Sequence, residues 1–343
     1  MSYSVVTPPP VRPFTEFLRM KGYYCTNNSK TDYQFEAPAT AWDESSASAT
    51  WRNRKKDQPF FAVFNLMVTH ESQVWQRKNH PLHVDPSAVK VPPYYPDTKT
   101  IRADMARFLS NVVDMDSLVG ELLKQLAEDR LLENTIIFFW SDHGDGLPNY
   151  KRELYDRGTH VPLVIRFPEQ KQAGSRSDRL ISSIDFGATV LSLAGIQPPS
   201  YMHGRAFLGK YEERKPNEYV YAARDRMDSE YDRVRAVRDR RYRYVRNFQP
   251  ELPSYQNVEY RLQQDMMREM LSMKENGQLN EIQMRWFAGG KPKEELYDLQ
   301  ADPFELTNLA SSEKYSAELV RLRKEMDRWL IYANDQGAIP EKS

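Results

Sequence analysis

Two patterns of apolar and polar residues divide the chain. In its N-terminal part, short apolar runs alternate with a long amphipathic stretch. Pro59-Phe60-Phe61-Ala62-Val63-Phe64-Asn65-Leu66-Met67 is nearly unbroken apolar sequence, the look of a strand buried on both faces of a parallel sheet. Asn134-Thr135-Ile136-Ile137-Phe138-Phe139-Trp140 predicts a second buried strand and Val161-Pro162-Leu163-Val164-Ile165-Arg166 a third. Between the first two, Met105, Phe108, Leu109, Val112, Met115, Val119, Leu122, Leu123 and Leu126 keep the helical period and predict a helix from about Ile101 to Leu126. Phe14 to Met20 and Ile184 to Leu193 predict shorter helices, and polar residues 27–58 read as loop. Apolar strands separated by helices argue an α/β layered fold.

After Gly209 the pattern changes. Tyr219 to Ala222, Tyr231 to Val237 and Tyr242 to Phe248 alternate polar and apolar residues, as antiparallel strands with one wet face do. A polar helix is expected around Val258 to Met273. A last helix, about Glu313 to Leu330, puts Tyr315, Leu319, Leu322, Met326 and Trp329 on one side. The expected organisation is therefore an α/β part over residues 1–210 and a smaller α+β subdomain over 211–343.

Charge narrows the partners. Lysine plus arginine number 48, as do aspartate plus glutamate, so no global field draws the chain to nucleic acid or anionic lipid. Cys25 is the only cysteine, which excludes an intrachain disulfide. No run approaches the roughly 20 apolar residues of a membrane span. Residues 1–10 lack the basic and apolar regions of a signal peptide and read as a linker entering at Val11, as if the chain starts mid-domain.

Two predicted strands end in candidate ligands, and ligands gather beyond the carboxyl ends of strands in open α/β sheets. His70 follows the first; Asp142-His143-Gly144-Asp145-Gly146 follows the second. Aspartate oxygens suit a hard divalent cation, and a histidine beside them adds a nitrogen donor. Lys151 and Arg152 can neutralise a sulfate or phosphate, and His70 can protonate a leaving alkoxide. Each feature alone reads more readily as a polar turn, solvated surface charge or a structural histidine.

Together they resemble a known family. Thr135 through Gly144 looks like the second metal-binding block of the type I sulfatases, in the alkaline phosphatase superfamily. Lys151-Arg152-Glu153-Leu154-Tyr155-Asp156-Arg157-Gly158-Thr159-His160-Val161-Pro162-Leu163 resembles the block after it. Glu295-Leu296-Tyr297-Asp298-Leu299-Gln300-Ala301-Asp302-Pro303 through Leu309 resembles the family's C-terminal signature, and Phe14 through Tyr24 its helix leading into a "GY" strand. Cys25 to Tyr33 and Trp42 to Ser46 are similar to the branch that includes heparan N-sulfatase.

The resemblance implies an alkaline-phosphatase-like mixed sheet flanked by helices, N-terminally truncated, with a smaller C-terminal α+β subdomain. It implies hydrolysis of sulfate esters on a carbohydrate such as a glycosaminoglycan. Asp142 and His143 would ligate calcium, Lys151 would grip the sulfate with Arg152 as the fallback, and His70 would bind sulfate and assist the leaving group. His203 and Arg205 would reach anionic groups of the substrate, or simply form a surface loop. Periplasmic or secreted location is implied as well.

The family's nucleophile is formylglycine, made from the cysteine or serine of a Cys/Ser-x-Pro-x-Arg motif. No such motif occurs in these residues, nor does the N-terminal Asp-Asp pair. Truncation of a longer gene is one reading, favoured because loss of a first strand leaves an exposed sheet edge. A protein that binds sulfated sugar without cleaving it, or pairs with a second chain, is another. A phosphodiesterase or phosphonate hydrolase of the same superfamily is the rival enzyme. The arginines from Arg224 to Arg241 would face an anionic sugar or pair with Asp225, Asp228, Asp232 and Asp239.

Overall fold

The computed structural model describes residues 6–339; the first residues of the linker read from the sequence, 1–5, lie outside them. Two compact units emerge. One runs to Met67 and resumes over Arg179–Glu218; the other comprises Val68–Asp178 and the chain from Tyr219 onward. This division interleaves along the sequence and runs differently from a single boundary after residue 210.

In the first unit, β1 (Tyr24–Asn28) lies between β2 (Glu44–Ser45) and β3 (Phe60–Phe64), all parallel. The parallel setting of β3 follows the expectation from its apolar run. Its burial does not: every residue of β3 is only partly covered. Helix Phe14–Met20 packs with helix Asp185–Leu193 around Leu18, Cys25 and Leu191, joined by Phe61 and Trp42. The stretch 27–58 is not all loop, since it supplies β2 and a short helical turn at Trp51–Asn53.

In the second unit, β4 (Ile137–Trp140) pairs antiparallel with β5 (Leu163–Arg166). Both were expected to be buried, yet Trp140 is 39% and Val164 59% exposed. An apolar run marks a strand without stating how much of it is covered. The long helix spans Lys99–Glu128, opened by Thr98, whose hydroxyl accepts the Ile101 N–H. It packs through Ile101, Met105 and Phe108 against Met266, Met267 and Met270. Those methionines sit on helix Asp265–Glu275, so the helix expected to be polar carries a buried face. Its expected first turn is instead a separate 3-10 turn, Glu259–Gln263, broken at Gln264 by extended backbone.

The four-stranded antiparallel sheet runs β6 (Val220–Met227), β7 (Glu230–Arg238), β8 (Tyr242–Asn247), β9 (Glu294–Asp298). No face of it is simply wet. Helix Ser316–Tyr332 covers Val237, Tyr244 and Leu296 with Leu319, Leu322 and Met326, while Val234, Ala236 and Val245 pack with Leu154. Arg224, Arg235 and Arg243 are buried here, each against carboxylates: Arg224 with Asp232 at 2.5 Å, Arg235 with Asp225 and Asp335 at 2.7 Å, Arg243 with Asp156 at 2.5 Å. A buried guanidinium demands such partners, so these arginines hold the sheet together.

Candidate functional site

The second unit assembles four residues from two stretches of sequence. His70 and Glu71 lie between a 3-10 turn, Met67–Thr69, and the short helix Ser72–Gln76. Lys151 and Arg152 come from the turn after the Asp142 to Gly146 loop. Glu71 joins them. Its side chain is almost wholly buried and accepts two hydrogen bonds from the Arg152 fork, at 2.7 and 2.9 Å. Lys151 Nζ donates to the same carboxylate at 2.7 Å. Burial pushes the Glu71 carboxyl up, but the Arg152 hydrogen bonds and charge, with Lys151 adding, outweigh it and hold it below its ordinary value.

Lys151 Nζ also stands 3.4 Å from His70 Nε2. On the other side of the ring, Nδ1 lies 2.9 Å from the Ser72 hydroxyl and accepts from the Ser72 backbone N–H at 3.3 Å. Arg152 adopts a left-handed backbone, φ +78°, and its carbonyl accepts from Arg224 at 2.9 Å. Its guanidinium is engaged with Glu71. Two cations over one carboxylate leave the cluster with a surplus positive charge, carried by Lys151.

The Asp142 to Gly146 loop borders this cluster. Glycine is required at both its glycine positions. A Cβ on Gly144 would fall 1.9 Å from the Arg157 carbonyl oxygen, and one on Gly146 would fall 2.9 Å from Glu71 Cα. Gly144 N–H donates to the Gly158 carbonyl at 2.9 Å, and Lys151 N–H to the Asp145 carbonyl at 3.2 Å. Asp142 is largely exposed, 3.8 Å from His143 Nε2. His143 Nδ1 lies 2.7 Å from the Gly144 carbonyl, to which it can donate. Burial raises the Asp145 carboxyl to about 6. One carboxylate and one imidazole fall well short of the 6–8 oxygens calcium takes. Among the described residues no group of three or more histidine, cysteine, aspartate or glutamate side chains is arranged to hold a metal ion. Asp142 and His143 alone therefore do not make a calcium site.

His203 and Arg205 belong to the first unit. Arg205 bonds locally to Asn217 at 3.2 Å and the Lys215 carbonyl at 3.1 Å, with Glu213 at 3.4 Å. Cys25 is fully buried there, and burial pushes its thiol up to about 12, which leaves no thiolate near neutrality. Glu71 is the residue that sequence reasoning missed. Its signal was present: a carboxylate beside His70, in a chain whose Lys-Arg pair needed a counter-charge.

Comparison with known proteins agrees with this arrangement of blocks. A family profile described as Sulfatase matches residues 4–196, and one described as N-sulphoglucosamine sulphohydrolase, C-terminal, matches residues 149–288. The chain is 46% identical to an ulvan-active sulfatase of Formosa agariphila over 99% of its own length and 63% of the relative's. It is 28% identical to the human N-sulphoglucosamine sulphohydrolase over 76% of its length and 56% of that enzyme's. It thus spans 63% and 56% of the length of these two relatives. A protein solved with its substrate D-glucosamine-2-N,6-O-disulfate superposes with a TM-score of 0.68, at 16% identity, over 99% of this chain and 86% of that one. The fold is the α/β fold of the alkaline-phosphatase-like sulfatases, and the chain belongs to the sulfatase family.

Proposed function

We propose that the chain carries the sulfate-gripping and leaving-group part of a hydrolase acting on sulfate esters of a polysaccharide, with ulvan-type or glycosaminoglycan chains as the substrate class. The observation that carries this reading is the contact of Lys151 Nζ with His70 Nε2 over the buried Glu71 carboxylate. Glu71 fixes Lys151 and neutralises Arg152. A sulfate oxygen entering beside Lys151 takes its third N–H. His70, once its ring has taken a second proton from solvent, can give the Nε2 proton to the departing sugar oxygen, which leaves as the alcohol while the imidazole returns to its neutral form. Asp142 and His143 contribute two donors toward the calcium ion that the resemblance implies and leave the rest of its shell to other groups. His203 and Arg205 remain proposed substrate contacts. Periplasmic or extracellular action fits a polymeric substrate; no helix among the described residues is long and apolar enough to cross a membrane.

No formylglycine motif lies within these 343 residues. By themselves they are expected to bind sulfated sugar without releasing sulfate. The test completes the chain with a segment carrying Cys-x-Pro-x-Arg from a sulfatase relative and measures sulfate released from ulvan oligosaccharides. Turnover is expected, with Lys151→Ala and His70→Ala each lowering kcat by about 10²–10³. Faster cleavage of matched phosphate or phosphonate esters would assign the chain to the rival chemistry.

A further inference from the structure

The His70 cluster does not end at the imidazole. Tyr260 stands on the 3-10 turn Glu259–Gln263 with its ring centre 6.3 Å from that of His70. It is 43% exposed, a large aromatic surface beside a candidate site. Trp75 braces it edge-on, with ring centres 5.2 Å apart. The turn is firmly seated. Arg261, the next residue, is buried over the Trp286 ring at 5.0 Å. Gln264, just beyond, donates to the Gly146 carbonyl at 2.8 Å, tying the turn to the Asp142 to Gly146 loop.

Past Tyr260 opens a recess of about 660 Å³ between residues 228–230 and 257–263. Asp228, Glu230 and Glu259 line it together with Ser229, Asn257 and Gln263. The carboxylates accept hydrogen bonds from hydroxyls and repel sulfate, and the amides and the Ser229 hydroxyl can both donate to and accept from a sugar hydroxyl. A flat aromatic face attracts the weakly positive C–H bonds on one face of a pyranose ring. The exposed Tyr260 face and the polar groups around it suit the two kinds of surface a sugar ring presents, its C–H face and its hydroxyls.

We infer that Tyr260 is the platform of a carbohydrate subsite, holding a hydroxyl-rich, sulfate-free sugar ring next to the sulfated one at His70 and Lys151. The inference rests on the reading of that pair as the sulfate grip. It gives the turn a role in specificity: the recess selects a chain in which the sulfated ring has a sulfate-free neighbour.

The test is calorimetric binding of ulvan oligosaccharides to the 343-residue chain and its variants, with saturation-transfer NMR to report which protons touch sugar. Tyr260→Ala is expected to weaken binding about tenfold, Tyr260→Phe to stay within about twofold, and transfer to reach the Tyr260 ring. Lys151→Ala is expected to weaken binding and abolish its salt dependence. Unchanged affinity in Tyr260→Ala with Lys151→Ala impaired would overturn the subsite and leave the sulfate grip standing. The opposite pattern, Tyr260 essential and Lys151 irrelevant, would sink the sulfate grip and leave a sugar site of another kind. Absence of binding by the unaltered chain at millimolar oligosaccharide would overturn both.

Discussion

Glu71 is the residue on which the candidate site turns. It counters two cations at once, and its side chain is only 2% exposed. Removing its charge leaves the nearly buried Arg152 and the adjacent Lys151 facing each other. Glu71→Gln is therefore expected to lower unfolding free energy by about 3–5 kcal/mol, read by urea unfolding at pH 7. The sign with pH follows from the depressed carboxyl. Its contribution is fully present above the ordinary value of 4.5 and is lost as pH falls through the lower folded value. The unaltered chain should lose this increment of stability in acid, and Glu71→Gln should not. A variant as stable as the parent, with the same acid slope, would remove Glu71 from the account. Sequence alone placed His70 and Lys151 as candidates through the family blocks. It did not pair them, because contacts across 81 positions of chain leave no local periodicity.

At the level of elements, the glycines of the Asp142 to Gly146 loop are dictated by neighbouring backbone. Gly144→Ala has no room beside the Arg157 carbonyl, and its neighbour there is main chain, which cannot rotate aside. The substitution is expected to cost about 2–3 kcal/mol and to displace the loop, measurable as a lowered Tm. An unchanged Tm would mean that the loop is not locked as described. The elements were unevenly legible. The long amphipathic helix and the apolar strands announced themselves by period. Strand β9 did not, because Glu294-Glu295-Leu296-Tyr297-Asp298 hides its inward positions behind carboxylates. Glu295 is buried all the same, accepting from Tyr155, Asn247 and Tyr297. The arginines of β6 to β8 were legible in part. Alternating charge suggested a wet face, whereas the charges are internal partners for Asp225 and Asp232, a pairing the sequence offered, and for Asp156 and Asp335, which lie far along the chain.

At the scale of the whole molecule, balanced charge and family blocks fit one account. With 48 cationic and 48 acidic residues, attraction for a polyanion must be local, and the arginine-rich sheet is largely neutralised from within. Under the proposed function, sulfate recognition would fall to the charge at Lys151, in a chain that belongs to the sulfatase family and whose own residues contain no formylglycine motif. What the blocks in the sequence could not convey was the counter-charge beneath the lysine, since a family motif names residues and leaves their buried partners unstated. The most direct measurement is the ¹⁵N spectrum of the His70 imidazole during titration with inorganic sulfate. Sulfate should move the Nε2 resonance saturably in the unaltered chain and leave it still in Lys151→Ala. Sulfate that shifts other side chains while His70 stays unmoved would contradict the site.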